Sequence, residues 1–461
     1  MKEVLEKRYG LITAICMVVG IVIGSGIFFK AEDVLKETGG DALSGVLAWI
    51  IGGAIMVVLS ATFAIMATKY EKVNGVVDYA EATCGKGYAY MVGWFISIIY
   101  FPAMTSVLAW VSARYTLVFA LGVPSTSETA LFSPECIAIA GFYLIAVYFI
   151  NSISPRLAGK LQVSTTVAKL IPIAFIALCG TLIGLFSGNL ADNFSSEHLI
   201  TAESSGGGII GAVCCTAFAY EGWIIATSIN SEIKDSKRNL PLALCIGAGV
   251  IVAAYLFYYI GVIALEDTNV LMQKGTNAAF EYFGSAVSGA INFLIIFSCL
   301  GTLNGLMVGC TRGFYSLAAR GEGIMPETFS QVDKKTNMPH NSASFGLLTA
   351  AIWLLYFYAS QFFSWFGEYG FDSSELPIIT LYPLYIPLLI SFAIKEKDLH
   401  PVKRFVLPIL SILGCLVMVA ASIFRHGSSI FWYLIVFAVV MLWGYLLMLR
   451  RKKQNSMKNE G

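Results

Sequence analysis

Gly20-Ile21-Val22-Ile23-Gly24-Ser25-Gly26-Ile27-Phe28 interrupts a stretch that is otherwise apolar from Leu11 to Phe29. A membrane-crossing helix should be most regular at mid-depth, and that is where Gly24, Ser25 and Gly26 stand. Each glycine costs about 1 kcal/mol against alanine in a helix interior. Backbone groups freed inside a bilayer are costly unless something satisfies them. A Gly-Ser-Gly at this depth therefore reads as a break whose bare N–H and C=O groups bind something.

The rest of the chain supplies the membrane. Of its 461 residues, 57% are hydrophobic and 13% charged, where soluble proteins carry about 25% charged residues. The apolar runs are long and continuous, which makes a polytopic all-α membrane protein and excludes a β-barrel, whose strands alternate. A crossing needs about 20 apolar residues. Twelve runs qualify: 9–29, 44–68, 87–120, 135–151, 161–187, 208–231, 241–265, 286–318, 342–358, 374–394, 403–424 and 429–449. The third and eighth are long enough to be tilted. No small-residue cleavage site follows the first run, so no cleavable signal is expected.

Orientation follows from the basic residues between runs. With the N-terminus in the cytoplasm, inner segments hold 24 Lys and Arg and outer segments four: Lys30, Lys36, Lys274 and Arg425. An even number of spans with both termini inside satisfies this bias. The net charge of +1 says nothing about nucleic acid, but no basic, aromatic-interleaved stretch exists, so no nucleic-acid partner is expected. The ten cysteines form no CxxC pair and mostly fall in apolar runs, so they read as small core thiols. All four histidines lie in or next to loops. No metal site and no cofactor is expected.

The sixth run carries a second break, Phe218-Ala219-Tyr220-Glu221-Gly222-Trp223. It stands five runs after the first, an odd offset, so the second half enters the membrane in the opposite sense. Paired breaks in corresponding spans point to an inverted-repeat transporter with its site at the midplane. The alternative is that these glycines are close-packing residues between helices.

These residues resemble a known family. Gly24-Ser25-Gly26-Ile27-Phe28 is similar to the first-helix signature of the amino acid–polyamine–organocation superfamily. Phe218-Ala219-Tyr220-x-Gly222-Trp223 resembles the sixth-helix signature of its L-type amino acid transporter branch. Glu232-Ile233-Lys234 with Arg238-Asn239-Leu240-Pro241 resembles the loop that follows, and Gly301-Thr302-Leu303-Asn304-Gly305 with Arg312 the eighth helix. The likeness spans about residues 8–450 and is greatest to bacterial serine/threonine and alanine/serine/cysteine exchangers. It implies the five-plus-five inverted-repeat fold of the sodium-coupled leucine transporter, with helices 1 and 6 broken and two further C-terminal helices. The expected parts are a cytoplasmic N-terminal segment 1–8, a first repeat 9–187, a second repeat 208–394, a helix pair 403–449 and a cytoplasmic basic tail 450–461, in a protein of the plasma membrane.

The implied function is sodium-independent exchange of small neutral or polar L-amino acids by alternating access. Proton-coupled uptake of an amino acid or amine is the alternative, and a sensor or a channel is less expected. No nucleophile–base pair at membrane depth suggests an enzyme. By resemblance, the N–H groups of Ser25 and Gly26 and the Ser25 hydroxyl bind the substrate carboxylate at the positive end of a half-helix. The carbonyls of Val22, Phe218 and Glu221 take the ammonium, Gly24, Ile27, Ala219, Tyr220 and Gly222 complete the cradle, and Phe218 is the gate. Asn304 lines the pocket or hydrogen-bonds between helices. Glu221 is read as a cap for the second half-helix, or as a group beside the substrate that favours polar or cationic side chains or carries a proton.

Lys169 lies inside the fifth run, where an ionisable residue marks function, with snorkelling as the alternative. By resemblance its ammonium replaces a sodium ion, meeting carbonyls near Gly20 and Ile21 and the hydroxyl of Ser298 or Thr302. Arg114 is expected to snorkel, and Glu368, Asp372 and Glu375 to form a solvated mouth. Animal members of the branch bond a partner glycoprotein through an outer-loop cysteine. The context of Cys136, Ser133-Pro134-Glu135-Cys136, matches poorly, so no such partner is expected. The partners are the L-amino acid and the lipid bilayer, and a monomer is compatible with this reading.

Overall fold

The structure is a computed structural model that describes residues 10–70, 75–153, 155–195, 208–223, 233–333, 338–361 and 365–460. The expected N-terminal segment, Glu232 of the loop motif and the continuation of the sixth run past Trp223 lie outside these residues. Ten helices among them are long and apolar enough to cross a membrane, and none forms a β-strand. Two shorter apolar helices stand where the breaks were expected.

The chain begins with α1 (Leu11–Val22), breaks, and resumes as α2 (Gly26–Glu37). Then follow α3 (Ala42–Lys69), α4 (Val76–Cys84), α5 (Lys86–Leu121), α6 (Pro134–Ile153) and α7 (Pro155–Phe175), which continues through a π-turn at Ile176–Gly180. The second part holds α8 (Gly208–Tyr220), α9 (Ser236–Leu265), α10 (Ser285–Ala318), α11 (His340–Gln361), α12 (Leu376–Lys395), α13 (Leu407–His426) and α14 (Ser429–Glu460).

Local sequence explains the local shapes. Asp41 caps α3 by accepting from the Leu43 N–H at 2.9 Å. Within α5, Pro102 cannot donate to the carbonyl four residues back, and a π-turn forms at Ile96–Tyr100. The freed Ile98 carbonyl accepts instead from the Trp353 indole of α11 at 3.0 Å. Small residues set the closest approaches. A Cβ on Gly180 would lie 2.5 Å from the Gly261 carbonyl oxygen, so α7 and α9 touch backbone to backbone.

The core lies between α1, α2, α3, α8, α9 and α10, where Trp49, Tyr255, Tyr258 and Tyr259 are fully buried. Rows of apolar side chains on α13 and α14, such as Leu413, Leu416, Phe424, Val439 and Leu442, stay exposed. In water such a surface would be costly, and a lipid solvent removes that cost.

Candidate functional site

The first break is a half-turn of extended chain between two short helices. Ile23 leaves α1 with φ −67° and ψ 104°, and Ser25 starts α2. The Ser25 carbonyl accepts from the N–H groups of Phe28 and Phe29 at 3.0 and 3.4 Å. The N–H groups of Ser25, Gly26 and Ile27 precede the first helical bond and have no backbone acceptor among the described residues. The Ser25 hydroxyl is buried there, also without a hydrogen-bond partner among the described residues. An anion fits this concentration of donors at a positive dipole end.

The carbonyls at the end of α1 are met by side chains from three other helices. Lys169 of α7 donates from Nζ to the Gly20 oxygen at 2.7 Å. Tyr255 of α9 donates toward the Val22 oxygen at 3.2 Å, and Ser298 of α10 to the Gly24 oxygen at 3.2 Å. Lys169 is 0% exposed, has no carboxylate partner among the described residues and lies beside Cys299, so its side chain does not snorkel. The hydroxyls expected around it turn elsewhere: Ser298 serves Gly24, and Thr302 donates to the Ser298 carbonyl at 3.2 Å. The Ile21 side chain lies outside the described residues.

The second break faces the first. α8 ends at Tyr220, and Gly222 has φ +108°, a backbone shape that side chains rarely adopt. A Cβ on Gly26 would sit 2.6 Å from the Cα of Ala219, and one on Gly24 2.6 Å from Oγ1 of Thr302. The glycines thus serve both the break and the close packing. The Tyr255 hydroxyl also reaches the Ala219 carbonyl at 3.0 Å, so one side chain joins the two breaks. Tyr220 points away, donating to the Trp49 carbonyl at 2.9 Å.

Three further residues take definite positions. Glu221 accepts from the Tyr100 hydroxyl at 2.7 Å, with Tyr382 and Tyr385 nearby; the half-helix it was expected to cap lies outside the described residues. Phe218 packs edge-on against Phe29, ring centres 5.1 Å apart, and is 7% exposed. Asn304 accepts from the Asn151 amide at 2.9 Å, linking α10 to α6. Tyr255, Tyr100 and Asn151 carry no signal in the sequence, since nothing distinguishes them from other tyrosines and asparagines in apolar runs.

A family model described as amino acid permease matches residues 9–445. The chain belongs to this amino acid permease family. The serine/threonine exchanger SteT of Bacillus subtilis (strain 168) is 29% identical to it over 434 residues, 92% of each chain. The b(0,+)-type amino acid transporter 1 of Homo sapiens is 28% identical over 455 residues, covering 97% of this permease and 89% of that protein. The Asc-type amino acid transporter 1 of Homo sapiens is 26% identical over 335 residues, 71% of this chain and 62% of that one. The permease is accordingly a multi-pass membrane transporter and not an enzyme.

Two sequence expectations need correction at the far end of α2. Glu375 is no solvated mouth residue: it is 0% exposed and held by Lys30 at 2.5 Å, Arg425 at 2.9 Å and His426 at 3.1 Å. Of the three acidic residues, Glu368 is exposed and Asp372 half-buried. Arg114 does not snorkel: it is 3% exposed, pairs with Glu32 at 3.0 Å and donates to the Ser125 carbonyl at 2.8 Å. Burying a charge is costly unless it is paired, and partners distant in sequence supply the pairing here. Through Lys30, Glu32 and Glu37, α2 of the permease is tied to α5, α12 and α13.

Proposed function

We propose that this permease is a sodium-independent exchanger of small neutral or polar L-amino acids, built as two inverted five-helix repeats, 9–187 and 208–394, with a helix pair at 403–449. Alternating access would turn about the two breaks, with both termini in the cytoplasm and the protein in the plasma membrane.

One observation carries the reading: the Lys169 side-chain nitrogen, which we take as the ammonium, donates to the Gly20 carbonyl, beside the free N–H groups of Ser25, Gly26 and Ile27. In transporters with broken helices, half-helix N-termini hold the substrate carboxylate, and carbonyl ends hold a coupling cation. Here a cation belonging to the chain occupies a carbonyl end, so no dissolved sodium ion is needed there. The substrate carboxylate meets Ser25 and Gly26, its ammonium meets the carbonyls of Val22, Phe218 and Glu221, and Phe218 closes over it. Substrate entry displaces the Tyr255 hydroxyl from Val22. The name of the Bacillus subtilis relative supports serine and threonine as substrates. Cys136 is fully buried, which supports function without a disulfide-linked partner.

Uptake of labelled serine into proteoliposomes tests this. It should require preloaded unlabelled serine, threonine or alanine, and replacing sodium by choline should leave the rate unchanged. Sodium-dependent uptake refutes the cation reading. Glu221 favours one second reading, proton coupling through its half-buried carboxyl, which accepts from the Tyr100 hydroxyl. Uptake into empty vesicles driven by an acid-outside gradient alone establishes that reading in place of exchange.

A further inference from the structure

Three donors of different chemistry converge beyond the substrate cradle. Cys214 Sγ, on α8, lies 3.5 Å from Oε2 of Glu375, the residue just before α12. His426 Nε2, at the end of α13, lies 3.1 Å from the same oxygen and 4.0 Å from the Cys214 sulfur. No sequence spacing announces the group, because its members are separated by 161, 51 and 212 positions.

We propose that Cys214, Glu375 and His426 form a binding site for a soft divalent cation of the zinc or cadmium kind, and that its occupancy arrests transport.

The geometry suits a tetrahedral ion. Bonds of about 2.0–2.3 Å place the donor atoms of a zinc site roughly 3.3–3.6 Å apart. The three separations bracket that range, and a rotamer adjustment of His426 brings them into it. A sulfur, nitrogen and oxygen set selects zinc-like ions over magnesium or calcium. Three protein donors leave a fourth position for water, and a cavity of about 310 Å³ bordered by Glu37, Asp372, Arg425 and His426 provides the approach.

The surrounding charges accommodate the ion. Lys30 and Arg425 both hold Glu375, but neither is stranded when the metal takes Oε2. Lys30 keeps Asp33 at 3.0 Å as well as Oε1, and Arg425 keeps Glu37 at 2.6 Å. Asp33, Glu37 and Glu375 outnumber the two cations. The Cys214 thiol gives up its proton to solvent as the sulfur–metal bond forms.

The consequence lies in what the ion joins. α8 carries the second break, while α12 and α13 lie across from it. Access alternates by moving one helix bundle against another, and a metal bridge between these helices opposes that motion.

The test uses the full-length protein, with CdCl2 and ZnCl2 as probes. Titrating cadmium should produce one ultraviolet sulfur-to-cadmium absorption band of unit stoichiometry, which vanishes in Cys214→Ser. Uptake in proteoliposomes should be inhibited by either metal. The half-inhibitory concentration should rise about tenfold or more in Cys214→Ser and in His426→Gln, while Cys214→Ser keeps its metal-free uptake. Absence of the band in the wild-type protein overturns the site whatever the variants do. So does a band or an inhibition curve unchanged by Cys214→Ser, which would place the metal on another cysteine. The band does not depend on transport, so its loss and a failure of the exchange reading are told apart.

Discussion

Replacing Lys169 by alanine removes the ammonium that meets the Gly20 carbonyl at 2.7 Å. The site is 0% exposed, so water does not readily take over the bond. A buried hydrogen bond to a charged group contributes about 1.5–3 kcal/mol, and 1.4 kcal/mol corresponds to about a factor of ten. If the loss falls on the loaded site, exchange should drop about ten- to a hundredfold. The assay is counterflow of labelled serine in proteoliposomes, normalised to reconstituted protein. Monodispersity and thermal stability in detergent separate a misfolded variant from an inactive one. Lys169→Met, which keeps the length and loses the charge, should behave like the alanine variant. Folded Lys169→Ala protein with wild-type rate and KM would show that the ammonium does not support the first break, and the sodium-free reading would lose its basis.

Gly26→Ala places a Cβ against the Ala219 backbone, which cannot rotate away; overpacking of about 1–3 kcal/mol and strong loss of uptake are expected. Gly24→Ala meets the Thr302 side chain first, so adding Thr302→Ala should restore much of its uptake; equal defects in the single and double variants contradict this packing. Tyr255→Phe removes the one O–H that lies within reach of the Val22 and Ala219 carbonyls; since substrate takes Val22, only the Ala219 bond, about 0.6 kcal/mol, is lost in the loaded state, and uptake should fall about two- to threefold with folding intact. Glu375→Gln strips the carboxylate shared by Lys30 and Arg425, but Lys30 keeps Asp33 and Arg425 keeps Glu37, so the cost stays below the about 3–5 kcal/mol of leaving a buried charge fully unpaired, and the melting temperature in detergent should fall modestly. An unchanged melting temperature would mean that water reaches this cluster.

The breaks were legible because they violate a rule. Gly24-Ser25-Gly26 and Glu221-Gly222 stand in apolar runs where any regular helix would exclude them. The identity of the family and the membrane-spanning nature of the chain followed from those residues and from the length of the runs. The side chains that meet the freed carbonyls were not legible, Lys169 excepted, since a charge at membrane depth is conspicuous and a hydroxyl is not. Tyr255 is one of 22 tyrosines, and its role comes from lying where α1, α8 and α9 meet. Arg114 and Glu375 misled for a related reason. A charge near a helix end usually reaches water, and only the folded chain brings Glu32 to one and Lys30 and Arg425 to the other.

The ammonium of Lys169 differs from a dissolved ion in one thermodynamic respect. An ion that comes and goes has a concentration on each side of the bilayer, and the difference can drive uphill movement of whatever travels with it. A cation bonded to the polypeptide has no concentration and cannot be left behind on the far side. On the proposed reading, the gain in independence from external salt therefore carries a restriction. At this position the protein has nothing with which to accumulate its substrate, and it can only redistribute amino acids that other transporters have already concentrated.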